Sequence, residues 1–281
     1  MMRMALSLAL GGALLSNPSD GKALATDCGT AAAVRPVRLW DGFRSPVGMA
    51  FDARGHLLVA EWGAGQVTRI APDGRRTILA QGLAGPSGLT VGLDETVYVA
   101  TYSGDEILRF TPAAGSDTGR MPVVHARGLA TPAGLSFDRT GRLMVANRRT
   151  HQVLAVAADG TLKPVISGLN TPVGAVQTPD GGYVVSNIGG GVTIVKPDGT
   201  RIEAGQSFKT PGPGVAMSRD GRVYVVDYGG TTVREVFGDG HSCAVADGLR
   251  SPVGLVFDPD GQSLLVATWG DGTIYRINLR P

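Results

Sequence analysis

The stretch PVGMAFDARGHLLVAEWGAGQVTRIAPDG, residues 46–74, decides how the rest of the chain is interpreted. It contains three short apolar segments, at residues 48–51, 57–60 and 66–70, which are separated by glycine, proline and aspartate. Short apolar runs that end at such residues predict β-strands joined by tight turns. We therefore interpret the stretch as a Pro-x-Gly turn followed by three strands and a closing Asp-Gly turn.

The second of these strands recurs along the whole chain. The copies are LLVAE (57–61), VYVAT (97–101), LMVAN (143–147), YVVSN (183–187), VYVVD (223–227) and LLVAT (264–268). Their first residues are 40, 46, 40, 40 and 41 positions apart. A period near forty residues with about four strands per repeat is typical of β-propeller blades. The sequence thus predicts an all-β fold, a six-bladed β-propeller of four-stranded antiparallel blades.

The two ends of the repeat array complement each other. The last unit ends after its third strand, whereas residues 34–39 precede the first unit as an unassigned strand. In addition, DGFRSPVG at 41–48 matches DGLRSPVG at 247–254. We predict that residues 34–39 supply the outer strand of the last blade, which would remove an open edge between the first and last units.

Composition narrows the classes of function. The chain has 281 residues, with 42 glycines, 17 prolines and a net charge of +2. Turn-forming residues placed at regular intervals favour many short strands over disorder. No long basic run is present, so the sequence argues against nucleic acid as a partner.

The N-terminus has the pattern of a secretory signal peptide. Arg3 precedes an apolar run at residues 5–15, and Ala23-Leu24-Ala25 matches an A-x-A cleavage site. The apolar run is too short to serve as a permanent membrane span. We expect residues 1–25 to be removed, residues 26–33 to form a tail and residues 34–281 to form one propeller domain. The mature protein is expected to be a periplasmic or secreted monomer without stable membrane insertion.

Two cysteines, Cys28 and Cys243, remain after that cleavage. Disulfides persist outside the cytoplasm, so a Cys28–Cys243 bond is one prediction. Two unpaired thiols are the alternative.

The repeats resemble those of known propeller families. They are similar to NHL repeats and to the wider group of six-bladed propellers that includes gluconolactonase and the senescence-marker protein. EWGAGQVTRI (61–70) and TWGDGTIYRI (268–277) also resemble repeats of virginiamycin B lyase. The resemblance extends over residues 34–281 and implies that ligands bind at the face where second strands end.

Resemblance to gluconolactonase implies a divalent metal, usually calcium, held by acidic and amide side chains just before the inner strands. The corresponding residues here are Val47, Ser87, Ala133, Val173, Pro213 and Val253, none of which is a carboxylate or an amide. Another set of oxygen ligands ends the second strands: Glu61, Asn147, Asn187 and Asp227. These residues are candidate ligands for calcium or another divalent cation. The alternative is that they cap the backbone of adjoining turns.

Resemblance to virginiamycin B lyase implies a glutamate after a second strand and a histidine in a Pro-His turn, which together abstract a proton with the help of a metal. Glu61 matches the glutamate, but no Pro-x-Gly turn carries a histidine. Of the four histidines, His151 is expected on the functional face. It is therefore the candidate catalytic base.

The residue after each second strand is mostly large. These residues are Trp62, Tyr102, Arg148, Ile188, Tyr228 and Trp269. Because the aromatic members belong to units that become neighbours when the ring closes, we expect a continuous arc opposite a basic corner of Arg148, Arg149 and His151. Such an arc would stack on a sugar, lactone or aromatic ligand, and the cations would bind an acidic group. The alternative is that these side chains pack between blades.

Three functions follow from these patterns. The first is an exported propeller that binds a small molecule, glycan or protein on the aromatic and arginine-bearing face. The second is a metal-dependent, lactonase-like hydrolase or lyase. The third is a structural interaction module that uses the long loop at residues 113–120 as its contact surface.

Overall fold

A computed structural model describes residue 28, residues 33–112 and residues 121–279 of the chain. In these residues the strands form six sheets, each of four antiparallel strands. The helical content of the described residues is limited to two short 3₁₀ helices, Trp62–Ala64 and Arg148–Thr150. The predicted all-β, six-bladed propeller is confirmed.

The strands are numbered along the chain, and blades 1 to 5 each run from the innermost to the outermost strand. Strand β1 is Val37–Trp40. Blade 1 contains β2 (Pro46–Phe51), β3 (Leu57–Glu61), β4 (Gln66–Ile70) and β5 (Arg76–Gln81). Blade 2 contains β6 (Pro86–Val91), β7 (Val97–Thr101), β8 (Glu106–Phe110) and β9 (Val123–Ala126). Blade 3 contains β10 (Pro132–Phe137), β11 (Leu143–Asn147), β12 (Gln152–Val156) and β13 (Leu162–Ile166).

The second half of the ring repeats this order. Blade 4 contains β14 (Pro172–Gln177), β15 (Tyr183–Asn187), β16 (Val192–Val195) and β17 (Arg201–Glu203). Blade 5 contains β18 (Pro211–Met217), β19 (Val223–Asp227), β20 (Val233–Val236) and β21 (Ser242–Ala246). Blade 6 contains β22 (Pro252–Phe257), β23 (Ser263–Thr268) and β24 (Thr273–Asn278), and β1 is its outermost strand.

Strand β1 pairs antiparallel with β24, with Arg38 opposite Tyr275. The pairing strand is shorter than the predicted segment at residues 34–39. Val34 instead forms an isolated bridge with Ala246 in β21 of blade 5. Pro36 lies between the two pairings, and proline cannot donate a backbone hydrogen bond to a strand ladder.

Cys28 forms a disulfide with Cys243, which also lies in β21. The segment that comprises residue 28 and residues 33–40, here called the N-terminal strap, therefore contacts the outer edges of blades 5 and 6. The strap joins these two blades by a covalent bond on one side and a strand pairing on the other.

The Pro-x-Gly motif begins each inner strand and is not a separate turn, which corrects the sequence interpretation. Pro46 is the first residue of β2. A Cβ atom at Gly48 would lie 2.3 Å from the carbonyl oxygen of Ser87 in blade 2. The same close approach recurs around the ring and ends at Gly254, where a Cβ would lie 2.0 Å from the carbonyl oxygen of Val47. Glycine is required because the inner strands of adjacent blades meet backbone to backbone.

The hydrophobic core is divided among the interfaces between blades. One buried apolar cluster lies between blades 1 and 2 and includes Leu58, Val67, Leu89 and Val97. Comparable clusters occupy the other five blade interfaces. The second strands are buried along nearly their whole length, and β3 is buried completely, because both of their faces contact a neighbouring blade. In the described residues, no helix has the length and apolar character needed to cross a bilayer.

Candidate functional site

A cavity of about 250 Å³ opens on the propeller axis, at the face where the second strands end. Each blade contributes two residues to its lining: Val47 and Trp62, Ser87 and Tyr102, Ala133 and Arg148, Val173 and Ile188, Pro213 and Tyr228, and Val253 and Trp269. We call this cavity the cup. The first residue of each pair forms the floor. It directly follows the first proline of an inner strand, except for Pro213, which lies two positions after Pro211. The second residue follows a second strand and forms the wall. All six wall positions singled out in the sequence therefore lie around one cavity.

Four wall residues from consecutive blades form a series of pairwise contacts around the ring. The ring centroid of Trp62 lies 5.8 Å from that of Trp269 and 4.7 Å from that of Tyr102, with edge-on geometry in both pairs. The guanidinium carbon of Arg148 lies 5.6 Å from the Tyr102 ring centroid, and Arg148 Nη1 donates a hydrogen bond to the Tyr102 hydroxyl. The aromatic arc therefore runs from blade 6 through blades 1 and 2 and ends at Arg148 in blade 3. Arg148 adjoins the arc and does not face it from a separate corner.

Backbone hydrogen bonds hold the wall in the same way in several blades. The Trp62 amide donates to Ser45 O at 3.0 Å, and the Arg148 amide donates to Thr131 O at 3.3 Å. Equivalent bonds fix Tyr102, Ile188 and Trp269. Because Ser45 and Thr131 immediately precede the prolines of inner strands, the repeat itself places these five wall residues above their floor residues.

Beneath the cup the axial channel becomes narrow. The channel has a volume of about 50 Å³ and is lined by inner-strand residues that include Gly48, Gly88, Gly134, Gly214 and Gly254. The channel is therefore much narrower than the cup above it, which has a volume of about 250 Å³.

Arg148 is the one charged residue among the described residues that line the cup. It is half-buried, as are Trp62, Tyr102, Tyr228 and Trp269. The cup thus combines apolar, flat walls with a single positive charge, and it offers no carboxylate and no histidine from the described residues.

The four candidate metal ligands are buried at the ends of their second strands. Three of them accept hydrogen bonds from the backbone that leads into the inner strand of their own blade. The bonds run from Arg44 N to Glu61 Oε2 (2.8 Å), from Ala130 N to Asn147 Oδ1 (2.8 Å), and from Lys209 N and Thr210 N to Asp227 Oδ2 and Oδ1 (3.1 and 2.9 Å). Capping of this kind satisfies amides that would otherwise lack a partner.

The fourth candidate, Asn187, has different contacts. Its Nδ2 donates to Val185 O at 3.3 Å and to Thr193 Oγ1 at 3.0 Å, and its buried Oδ1 has no hydrogen-bond partner among the described residues. The described part of the chain contains no group of three or more His, Cys, Asp or Glu side chains able to hold a metal ion. A cation at this ring of strand ends stays a prediction.

His151 and Arg149 do not line the cup. His151 ends the Arg148–Thr150 helix with φ 58°, and its exposed ring places Nδ1 3.1 Å from Leu169 O and 3.3 Å from Thr171 N. These contacts lie at the junction of blades 3 and 4. The candidate base is therefore outside the axial cavity, and the long loop at residues 113–120 lies outside the described residues.

No sequence profile of a known protein family matches the chain. Virginiamycin B lyase from Nocardia farcinica (strain IFM 10152) is 32% identical over 140 residues, which span 49% of this chain and 48% of the lyase. The match thus covers about half the length of that relative.

Similar solved structures cover nearly all of the propeller. A gluconolactonase from Xanthomonas campestris is 19% identical with a TM-score of 0.73, and the alignment covers 89% of this chain and 96% of that one. A catalytically inactive histidine variant of virginiamycin B lyase from Staphylococcus aureus, in a structure with quinupristin, is 14% identical with a TM-score of 0.66. That alignment covers 86% of this chain and 83% of the lyase. In its fold, the chain is similar to the six-bladed propellers of a gluconolactonase and a virginiamycin B lyase.

Proposed function

We propose that the protein binds a small molecule in the cup, and that this ligand has a flat apolar body and an anionic group. The observation that carries the proposal is the contact series Trp269, Trp62, Tyr102 and Arg148 along one wall of a cavity to which every blade contributes. Aromatic walls favour a flat apolar ligand, and a half-buried arginine binds a carboxylate through paired hydrogen bonds. The volume of about 250 Å³ suits a small compound.

Intrinsic tryptophan fluorescence tests this proposal directly. Two of the three tryptophans line the cup, and the third, Trp40, lies in β1. Naphthoate should change the emission in a saturable way, and a Trp40→Phe variant should retain that change. Arg148→Met should weaken naphthoate binding by about tenfold or more, because hydrogen bonds to charged groups contribute about 1.5–3 kcal/mol.

The uncharged analogue naphthamide is the matched control ligand. It should bind equally to the native protein and to Arg148→Met, because it carries no negative charge. Equal weakening of both ligands, or no saturable change with either, would argue against an anion-recognising cup.

Catalysis is a second candidate function, favoured by the sequence similarity to virginiamycin B lyase. In this proposal Glu61, Asn147, Asn187 and Asp227 would hold calcium or another divalent cation, and His151 would act as the base. Incubation with quinupristin, virginiamycin B or gluconolactone, with added Ca²⁺ or Mg²⁺ and then with a chelator, tests it by mass spectrometry. A metal-dependent product that is lost in His151→Ala would establish the activity. Unchanged compounds under all three conditions would contradict a lyase or lactonase activity on these substrates.

We further propose that the protein is exported and acts as a periplasmic or secreted monomer. The signal-like pattern at residues 1–25 supports this, as does the Cys28–Cys243 disulfide, because such bonds persist outside the cytoplasm. The mass of the mature protein should correspond to a chain that begins near Thr26. Light scattering should give the mass of a single chain.

A further inference from the structure

A second cavity, of about 320 Å³, lies between strands β3–β5 of blade 1 and the connection from β1 to β2, and it shares no lining residue with the cup. Its polar lining consists of Arg44, Glu61, Gln66, Thr68, Arg76 and Thr77. We call it the polar pocket. Neighbouring residues separate the two cavities, since Glu61 faces the polar pocket and Trp62 faces the cup.

Glu61 is a buried carboxylate without a cationic partner. It is 4% exposed and forms no ion pair with any described residue. The other two buried carboxylates have nearby guanidinium groups. Asp138 pairs with Arg142 at 2.6 Å, and the charge of Asp227 acts on Arg234. Burial of a carboxylate costs free energy unless hydrogen bonds and an opposite charge compensate for it.

Hydrogen bonds within the protein occupy only some of the acceptor positions of the Glu61 carboxylate. Glu61 accepts from the Arg44 amide at 2.8 Å, from Gln66 Nε2 at 2.9 Å and from the Thr68 hydroxyl. An ionised carboxylate has about four acceptor positions. One position on the wall of the polar pocket therefore remains for a donor from a ligand.

Two positive charges border the same pocket. The side chains of Arg44 and Arg76 line it, both residues are exposed, and neither forms an ion pair with a described residue. The guanidinium carbon of Arg76 lies 4.3 Å from the ring centroid of Phe43, and this contact restrains it. The pocket thus presents one unpaired negative charge and two unpaired positive charges.

The other blades show that the fold does not require this arrangement. Thr68 lies opposite Val59 in the strand register, and the equivalent residues in blades 2 to 6 are Leu108, Leu154, Thr193, Arg234 and Tyr275. At the position of Glu61, blades 2 to 6 have Thr101, Asn147, Asn187, Asp227 and Thr268. Of the six blades, blade 1 combines a glutamate with a threonine at these two positions, so the polar pocket reflects the blade 1 sequence and not propeller packing in general.

We propose that the polar pocket binds an acidic α-amino acid, with the ligand ammonium on Glu61 and its two carboxylates on Arg44 and Arg76. An ammonium supplies both the missing donor and the missing positive charge at Glu61, whereas a hydroxyl would supply only the donor. The ligand's net charge of −1 complements the net charge of +1 on the three side chains. Gln66 and Thr77 provide further polar contacts at the wall.

Isothermal titration calorimetry at low ionic strength tests the proposal with glutamate and glutarate, which share two carboxylates and differ in the ammonium. Glutamate should bind at least about tenfold more tightly than glutarate, because an ion pair with a buried group is lost in glutarate. Arg76→Gln and Arg44→Gln should each weaken glutamate binding by about tenfold. Arg54→Gln, an exposed change in the turn between β2 and β3, should leave it unchanged.

Glu61→Gln should bring the affinity for glutamate down to that for glutarate, and circular dichroism should verify that this variant is folded. Because Glu61 also caps the Arg44 amide, the exposed Arg76→Gln substitution tests the pocket even if Glu61→Gln fails to fold. Equal affinity for glutamate and glutarate would show a simple anion site and overturn the proposal. Absence of saturable heat with glutamate at millimolar concentration would overturn it as well. Arg148→Met should not affect glutamate binding, which separates this site from the cup.

Discussion

Arg148 and Tyr102 join blades 3 and 2 at the rim of the cup, where Arg148 Nη1 donates a hydrogen bond to the Tyr102 hydroxyl. The guanidinium also lies near the tyrosine ring, with 5.6 Å between its carbon and the ring centroid. This contact fixes the only charge of the described cup lining at one end of the aromatic arc. A bound ligand would therefore place its flat part on the aromatic side chains and its anionic group at Arg148.

Removal of the Tyr102 hydroxyl should loosen Arg148 and leave the ring in place. Tyr102→Phe is expected to weaken naphthoate binding by about twofold to tenfold, because a net hydrogen bond contributes about 0.5–1.5 kcal/mol. Fluorescence titration measures the change. Tyr228→Phe in blade 5 is the matched control and should bind naphthoate normally. Equal losses in the two variants would contradict an orienting role for the Tyr102 hydroxyl.

Reduction of the Cys28–Cys243 disulfide should destabilise the ring. The bond joins residues 215 positions apart, and the chain-entropy account gives up to about 5 kcal/mol of stabilisation for a loop of this length. Guanidinium denaturation of the mature protein should shift to lower denaturant in Cys28→Ser. A reductant should produce the same shift in the native protein and no further shift in the variant. Coincident curves for native protein and variant would refute the prediction.

The close contacts of the inner strands predict that Gly254→Ala greatly lowers the free energy of unfolding. Its new Cβ would lie 2.0 Å from the Val47 carbonyl oxygen and 3.1 Å from the Ala267 Cβ. We expect a loss of at least about 3 kcal/mol of unfolding free energy, as for severe overpacking. Gly55→Ala is the control, since Gly55 has φ +76° but open space around it. Gly55→Ala should lower the free energy of unfolding by only about 1–2 kcal/mol, the strain of a left-handed backbone conformation.

Residues before the inner-strand prolines have unusual backbone conformations. Positive φ values occur at Ser45 (49°), Thr131 (50°), Thr171 (62°) and Ser251 (50°), whereas blade 2 has Gly85 at φ 63°. Ser251→Gly should therefore stabilise the protein by about 0.5–1 kcal/mol, the relief of strain less the extra entropy of the unfolded glycine chain. Thermal unfolding measures the gain. A lower midpoint in Ser251→Gly would mean that the serine side chain contributes more than the backbone strain costs.

His125 should make stability depend on pH. Burial lowers the pKa of His125, and the charge of Arg109 lowers it further, while Asp159 acts in the opposite direction. The unfolded chain, in which the histidine pKa is about 6.5, then binds the proton more readily than the folded protein does. The contribution of neutral His125 to the free energy of unfolding is therefore complete above about pH 6.5 and is lost as the pH falls below that value. Unfolding free energies measured at about pH 7.5 and pH 5.5 should differ less in His125→Gln than in the native protein. An unchanged difference would exclude His125 as the source.

The repeat was readable from sequence because the second strands are buried on both faces. Leu57 and Leu58 are 1% and 0% exposed although they point to opposite sides of β3, so the motif is a continuous apolar run. The role of Gly48 was not readable in the same way. Its neighbour Ser87 belongs to the next blade, and a local pattern reports only that glycine is suited to turns.

The sequence predicted more of the cup than of the polar pocket. The wall residues share one position in the repeat, so alignment alone predicted that they face one side. The hydrogen bond from Arg148 to Tyr102 depends on the reach of two side chains across a blade boundary. The polar pocket combines Glu61 with Arg44 and Arg76, which occupy different positions of the unit. Its visible signal was the combination of glutamate at position 61 with threonine at position 68, which no other unit has.

The pairing of β1 with β24 determines which boundaries between blades are crossed by the polypeptide backbone. Since β1 belongs to blade 6 and the chain continues directly into β2 of blade 1, the backbone crosses every boundary between blades, including the one that closes the circle. A rearranged chain that begins at β2 and carries β1 after β24 would keep every strand pairing. In that chain no backbone connection would cross the boundary between blades 6 and 1, which would depend on noncovalent contacts alone. The natural order instead places the break inside the sheet of blade 6, where the pairing of β1 with β24 spans it.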